Sequence, residues 1–179
     1  YEKIIEGFFR RVDNGTLSHA HLIIGSNGIG KSILARIFAL KILNKEKDID
    51  YVDIVNYRPS KASMGVDEVR EIIEEVSKRP YEGDKKVIII HEGSKLTIQA
   101  QNALLKTIEE PPQGVYIILL AESLETLLET IKSRCQVYKL TPLNNKQIEK
   151  YINTLGNYSE EEMKDVKEYY KIKSKSKAD

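Results

Sequence analysis

The run Gly25-Ser26-Asn27-Gly28-Ile29-Gly30-Lys31-Ser32 satisfies the G-x-x-x-x-G-K-[ST] pattern, and the chemistry of that pattern is the cradling of phosphate. Glycines let successive backbone N–H groups turn toward an anion, and the helix that follows adds the positive end of its dipole. Lys31 reaches the terminal phosphates and Ser32 can ligate Mg²⁺. Gly25, Gly28, Gly30, Lys31 and Ser32 are therefore the cofactor-binding candidates, with ATP or ADP as the cofactor. A Gly-rich turn can match by accident, so the assignment depends on a strand before the loop and a helix after it.

In such sites a second motif ends an apolar strand, where an Asp orients Mg²⁺ and a following Glu helps to activate water. Here the strand ends Ile88-Ile89-Ile90-His91-Glu92. Glu92 is present, in a vestigial water-activating position, but His91 stands in the place of the Asp. Imidazole is a poor ligand for Mg²⁺, and near neutral pH an unperturbed His is mostly uncharged, so the lost negative charge is not replaced. The expectation is weak or absent Mg²⁺ binding and a nucleotide that is held without being turned over. His19, His21 and His91 are scattered and Cys135 reads as packed, so no catalytic triad is proposed.

The elements that must position these residues are legible as alternating patterns. Ile4, Ile5, Phe8, Phe9 and Val12 repeat at helical spacing, and Asn14-Gly15 supplies a stop. Strands are expected at residues 21–24, 51–55, 86–90, 115–121 and 136–140. Helices are expected at residues 31–43, 67–78, 97–110 and 124–132, the third ended by Pro111-Pro112. The carboxylates of the 67–78 helix read as a solvated face. Strands separated by helices imply a parallel α/β sheet with helices on both faces. Past Pro142 two polar helical stretches carry too few large apolar residues to fold alone, which suggests the start of a second, helical domain.

Composition excludes several classes. Hydrophobic residues at 41% and charged ones at 31% describe a chain that can bury a core, and its longest apolar runs are strand-sized, short of the roughly 20 residues of a membrane helix. No signal peptide is evident, and a single cysteine rules out an internal disulfide and a cysteine-based zinc site. A cytoplasmic address is the default expectation. A formal net charge of +1 gives no general reason for tight nucleic-acid binding by this chain alone. The lysine-rich tail at residues 171–177 reads as a frayed, solvated end.

Further segments are more particular. Gln101-Asn102-Ala103-Leu104-Leu105-Lys106-Thr107-Ile108-Glu109-Glu110-Pro111-Pro112 closely resembles a helix and turn of clamp-loader subunits of the gamma and delta-prime type, in the AAA+ ATPase family. Leu17-Ser18-His19-Ala20-His21-Leu22, Gly65-Val66-Asp67-Glu68-Val69-Arg70 and Ser133-Arg134-Cys135 are similar to that family's landmarks in the same order.

The resemblance covers residues 1–143 well. It implies an AAA+ P-loop fold with a five-stranded parallel sheet at residues 1–141, followed by a partial helical lid at 142–179. The family's collar domain is expected outside this chain. The implied setting is a DNA polymerase III clamp loader acting in DNA replication. Its partners would be gamma/tau and delta-type subunits, the sliding clamp indirectly, and primer-template DNA through the assembled complex, with no membrane.

The resemblance also makes Arg134 an arginine finger that acts in trans on a neighbour's ATP site, a role suited to an always-charged guanidinium. Ser123, after the strand at 115–121, takes the place of a polar nucleotide sensor. The four zinc-binding cysteines of many relatives are absent, so no zinc module is expected. His91 favours the delta-prime type over the gamma type. Two alternatives remain open at this stage: a hydrolysing gamma-type ATPase subunit, and an unrelated P-loop small-molecule kinase, since a phosphate loop alone does not fix a reaction.

Overall fold

A computed structural model describes residues 1–142, and they form a five-stranded, wholly parallel sheet in the order β2-β3-β4-β1-β5. The strands are β1 (Ala20–Ile24), β2 (Ile54–Tyr57), β3 (Lys86–Ile90), β4 (Val115–Ala121) and β5 (Gln136–Lys139). The helices are α1 (Glu2–Asp13), α2 (Lys31–Leu43), α3 (Val66–Ser77), α4 (Ile98–Glu109) and α5 (Glu129–Lys132). No described helix is long and apolar enough to cross a membrane. The helical second domain expected at residues 142–179, like the lysine-rich tail, lies outside the described residues apart from Pro142.

Alternation along the strands builds two cores. Val87, Ile89, Ile23, Ile118 and Leu120 pack with Phe8 of α1 and with Leu34, Phe38 and Ile42 of α2. Ile88, Ile90, Leu22, Ile117 and Leu119 pack with α3 and α4 through Val69, Ile72, Leu104 and Ile108. β1, β3 and β4 are covered on both faces, which is why they read as unbroken apolar runs. Helix ends follow local chemistry. α2 stops at Asn44, whose φ of 56° is left-handed, and α4 starts at Thr97, whose side chain accepts the Ala100 N–H at 3.1 Å.

The pattern misleads at a few places. The second strand begins at Ile54, later than the expected 51–55, because the chain turns there, the Ile54 N–H donating to Tyr51 O at 3.1 Å, while the Asp53 carboxylate accepts the N–H groups of Tyr81 at 2.7 Å and Glu82 at 2.9 Å. The expected helix at 124–132 is a 3₁₀ turn, Leu124–Thr126, followed by the short α5. Leu127 and Leu128 between them are extended, and the Leu128 N–H is taken by Gln101 Oε1 at 2.8 Å in place of a helical carbonyl.

The supposedly solvated face of the third helix also holds a half-buried carboxylate, Glu75, paired with a buried lysine. Lys86 is fully buried at the start of β3, with Nζ 2.6 Å from Glu75 Oε1, donating to the Glu75 carbonyl at 2.8 Å and lying 4.8 Å from the Tyr81 ring centre. Asp67 on the same helix is solvated, as expected.

Candidate functional site

In a parallel sheet of this kind, ligands sit beyond the carboxyl ends of the strands, where the chain direction of successive connections diverges. That edge carries the phosphate loop after β1, His91 and Glu92 after β3, and Glu122 and Ser123 after β4. The loop is joined to the sheet on both sides: Gly25 N–H donates to Ala121 O at 3.1 Å, and Leu140 N–H donates to Ile24 O at 2.8 Å. Gly28 and Gly30 have φ of 83° and 110°, left-handed conformations that L side chains avoid. Gly25 is needed for a different reason, since a Cβ there would meet Ile29 Cγ2 at 2.8 Å and Leu140 Cβ at 3.3 Å. The sequence pattern therefore sits in the strand–loop–helix context that it requires.

Lys31 opens α2 and folds back over its own loop, donating to the carbonyls of Gly25 and, at 3.1 Å, Ser26. Burial pushes its pKa down to about 8, while Glu122 and then Glu92 act in the opposite direction. Two carboxylates from neighbouring strand ends thus share the electrostatic environment of the phosphate-loop lysine. Glu92 itself has a left-handed φ of 53° and pairs with Lys95 at 2.9 Å. Lysine, left-handed glycines and the helix N-terminus suit an anionic phosphate group.

His91 does not take part in that environment as an acid would. It is buried, and its Nε2 lies 2.8 Å from Asn56 Oδ1, an acceptor, so Nε2 carries the proton. Burial, with Arg58 adding to it, pushes its pKa down to about 3, so the ring is neutral across the physiological range. Among the described residues no group of three or more His, Cys, Asp or Glu could hold a metal ion, and the imidazole that follows β3 is neutral and already engaged by Asn56.

Arg134 lies elsewhere. It precedes β5, whose Gln136 is level with His21 in β1, so it sits at the amino edge of the sheet while Lys31 follows the carboxyl end of β1. A five-residue strand separates those edges by roughly 16 Å. Its side chain is 40% exposed, with Nε 2.5 Å from Glu109 Oε1 and Nη1 donating to Thr130 O at 3.0 Å and to Ser133 Oγ at 3.3 Å. Burial pushes the thiol of the neighbouring Cys135 up to about 12, so it stays protonated near neutral pH.

Sequence reasoning did not single out Glu122, Ser94 or Asn56. Glu122 directly follows the apolar run at 115–121 and could have been weighed beside Ser123. The other two gain their positions only through tertiary contacts.

A family model described as DNA polymerase III, delta subunit, matches residues 1–144. DNA polymerase III subunit delta' of Haemophilus influenzae is 33% identical over 80% of this chain and 48% of its own length. DNA polymerase III subunit gamma of Buchnera aphidicola subsp. Schizaphis graminum is 32% identical over 87% of this chain and 48% of its own. The chain spans about half the length of these relatives. Among solved structures, a DNA polymerase III gamma subunit-related protein from Thermotoga maritima superposes with a TM-score of 0.63 at 24% identity, covering 81% of this chain and 48% of that one.

Proposed function

The chain belongs to the DNA polymerase III clamp-loader subunit family, with an AAA+ fold, and from that premise we propose that it acts as a delta-prime-type subunit. It holds nucleotide at the loop of Gly25, Gly28, Gly30, Lys31 and Ser32 without turning it over, and it lends Arg134 to the ATP site of a neighbouring subunit. Its partners are gamma/tau-type and delta-type subunits, and primer-template DNA is met by the assembled complex.

The observation that carries this reading is the position of Arg134 across the sheet from Lys31, with its guanidinium at the surface. From there it cannot serve its own phosphate loop, but it can meet a second molecule. Glu109 and the Thr130 carbonyl hold the fork in one orientation, which lowers the entropy lost when it engages a triphosphate. The neutral, amide-bound His91 supports the absence of turnover, since phosphoryl transfer depends on charge placed at the metal. If Ser123 senses nucleotide, it does so from the loop that also carries Glu122.

The test is a reconstituted loader that contains the full-length subunit. Arg134→Ala should lower turnover by the adjacent ATPase about 10³-fold, the lower end of what an arginine finger supplies, with nucleotide binding by this chain unchanged. Unaltered partner turnover would overturn the finger role.

A second reading is a hydrolysing gamma-type subunit. It is favoured by Glu92 acting on Lys31 and by gamma relatives as similar as delta' ones. Lys31-dependent ATP turnover by the purified chain would select it. The small-molecule kinase alternative falls with the family assignment.

A further inference from the structure

We propose that Ser94 is a positioning residue that latches the turn carrying Glu92 to the loop carrying Glu122 and Ser123, so that two strand-end segments facing Lys31 behave as one unit. Its functional consequence rests on the nucleotide-pocket reading above, but the latch itself does not.

Hydrogen counting fixes the latch. Thr126 Oγ1 lies 2.9 Å from Ser123 O, a carbonyl that only accepts, so the single hydroxyl hydrogen of Thr126 goes there. Ser94 Oγ lies 3.1 Å from Thr126 Oγ1 and must then donate to it. That leaves the Ser94 lone pairs for the Glu122 N–H, which donates to Ser94 Oγ at 3.0 Å. The resulting chain runs from Glu122 N–H through Ser94 and Thr126 to Ser123 O with every hydrogen used once. An alanine at residue 94 leaves both the Glu122 N–H and the Thr126 oxygen without this partner.

The turn is seated where only its own residues fit. Gly93 presses on β4 so closely that a Cβ would meet Leu119 Cδ1 and Leu120 O, each at 2.8 Å. Glu92 before it is left-handed. Behind the latch, buried Gln101 binds both segments at their far ends, donating to Leu96 O at 3.2 Å and Thr126 O at 3.0 Å and accepting from the Leu128 N–H. Gln101 is thus a buried anchor. Ser94 is half-exposed and stands at the pocket end, next to the two carboxylates.

The experiment is amide hydrogen exchange on the chain without nucleotide, for wild type, Ser94→Ala, Ser94→Thr and Thr126→Val. A parallel titration uses ATP as the probe. Ser94→Ala and Thr126→Val should speed exchange at residues 92–96 and 122–127 together, by about tenfold, as expected for losing hydrogen bonds of ordinary strength. Ser94→Thr keeps a hydroxyl and should restore protection. The ATP dissociation constant should rise several-fold in the alanine variant with its melting temperature unchanged, a split that loss of a general structural contact would not give.

Exchange that rises in one segment alone, or an alanine variant that matches wild type, overturns the latch. Wild-type chain that binds no ATP, with exchange still coupled, overturns the nucleotide reading and leaves the latch standing.

Discussion

The two edges of the sheet are held by different kinds of contact. At the amino edge the innermost links are charged, fully buried Lys86 with Glu75 and buried Asp53 accepting two N–H groups from the 81–82 turn, while Arg134 with Glu109 stays at the surface. At the carboxyl edge, where the phosphate loop lies, the buried links are uncharged, Gln101 with backbone groups and His91 with Asn56, and the charged one, Lys95 with Glu92, is exposed at 40% and 46% of its side chains. Buried charge pairs resist opening because a separated partner is stranded in low dielectric, whereas exposed pairs exchange with water at little cost. The fold therefore places its buried charges, Lys86 and Asp53, away from the ligand side.

That contrast predicts a ranking of effects. Glu75→Ala strands the buried Lys86 ammonium and should cost about 3–5 kcal/mol of stability, read as a large fall in the denaturation midpoint. Any residual folded protein should keep its nucleotide affinity. If the loss is below about 1 kcal/mol, the magnitude of an exposed pair, the two edges do not differ as described.

Acidification comes next. His21 is buried in β1, with Nε2 2.7 Å from Ser18 O and Nδ1 3.0 Å from the Tyr138 hydroxyl, which in turn accepts from Arg11. Burial pushes its pKa down to about 4, against the Ser18 contact, which raises it. The unfolded chain binds the proton more readily, so this stability is complete above about pH 6.5 and lost as pH falls toward 4, a loss of about 3 kcal/mol. His91, lowered to about 3, adds in the same direction over a window that reaches lower. A melting temperature that stays flat from pH 7 to pH 4 would contradict both.

Lys31→Ala should weaken ATP binding roughly ten- to a hundredfold, the loss of one charge-assisted phosphate contact, while the melting temperature hardly moves. Calorimetry and thermal denaturation on one sample separate the two. The smallest effect is expected for Thr97→Ala, which removes the α4 cap near the carboxyl edge and should cost about 1 kcal/mol. A chemical denaturation series would resolve it from the Glu75 variant.

What could be read from the sequence was whatever local geometry dictates. A phosphate loop demands glycine where φ is left-handed, so Gly28 and Gly30 identified themselves, and strands covered on both faces betray themselves as apolar runs. The His91 substitution was visible because the strand end is fixed by the run before it. The Lys86–Glu75 pair was hidden because each residue matches a bland local pattern, a charged strand start and a polar helix face, and only their meeting across elements makes them a unit. For the same reason Gln101 broke the expected helix at 124–132: a tertiary hydrogen bond outweighed propensity. The strand order was out of reach, since pairing is decided by where crossovers land.

That strand order sets a timetable for the growing chain. β1 is flanked by β4 and β5, both translated long after it, with Val115 the first residue of the earlier partner. Emerging from the ribosome, Ala20–Ile24 has no neighbour to hydrogen-bond until nearly a hundred further residues have been made, and such distant pairing is slow and leaves apolar surface uncovered meanwhile. The phosphate loop, synthesised ahead of β2, β3, β4 and β5, is thus shaped only once β4 has joined β1, and a nascent chain stalled before β4 would present a bare hydrophobic strand for chaperones to shield.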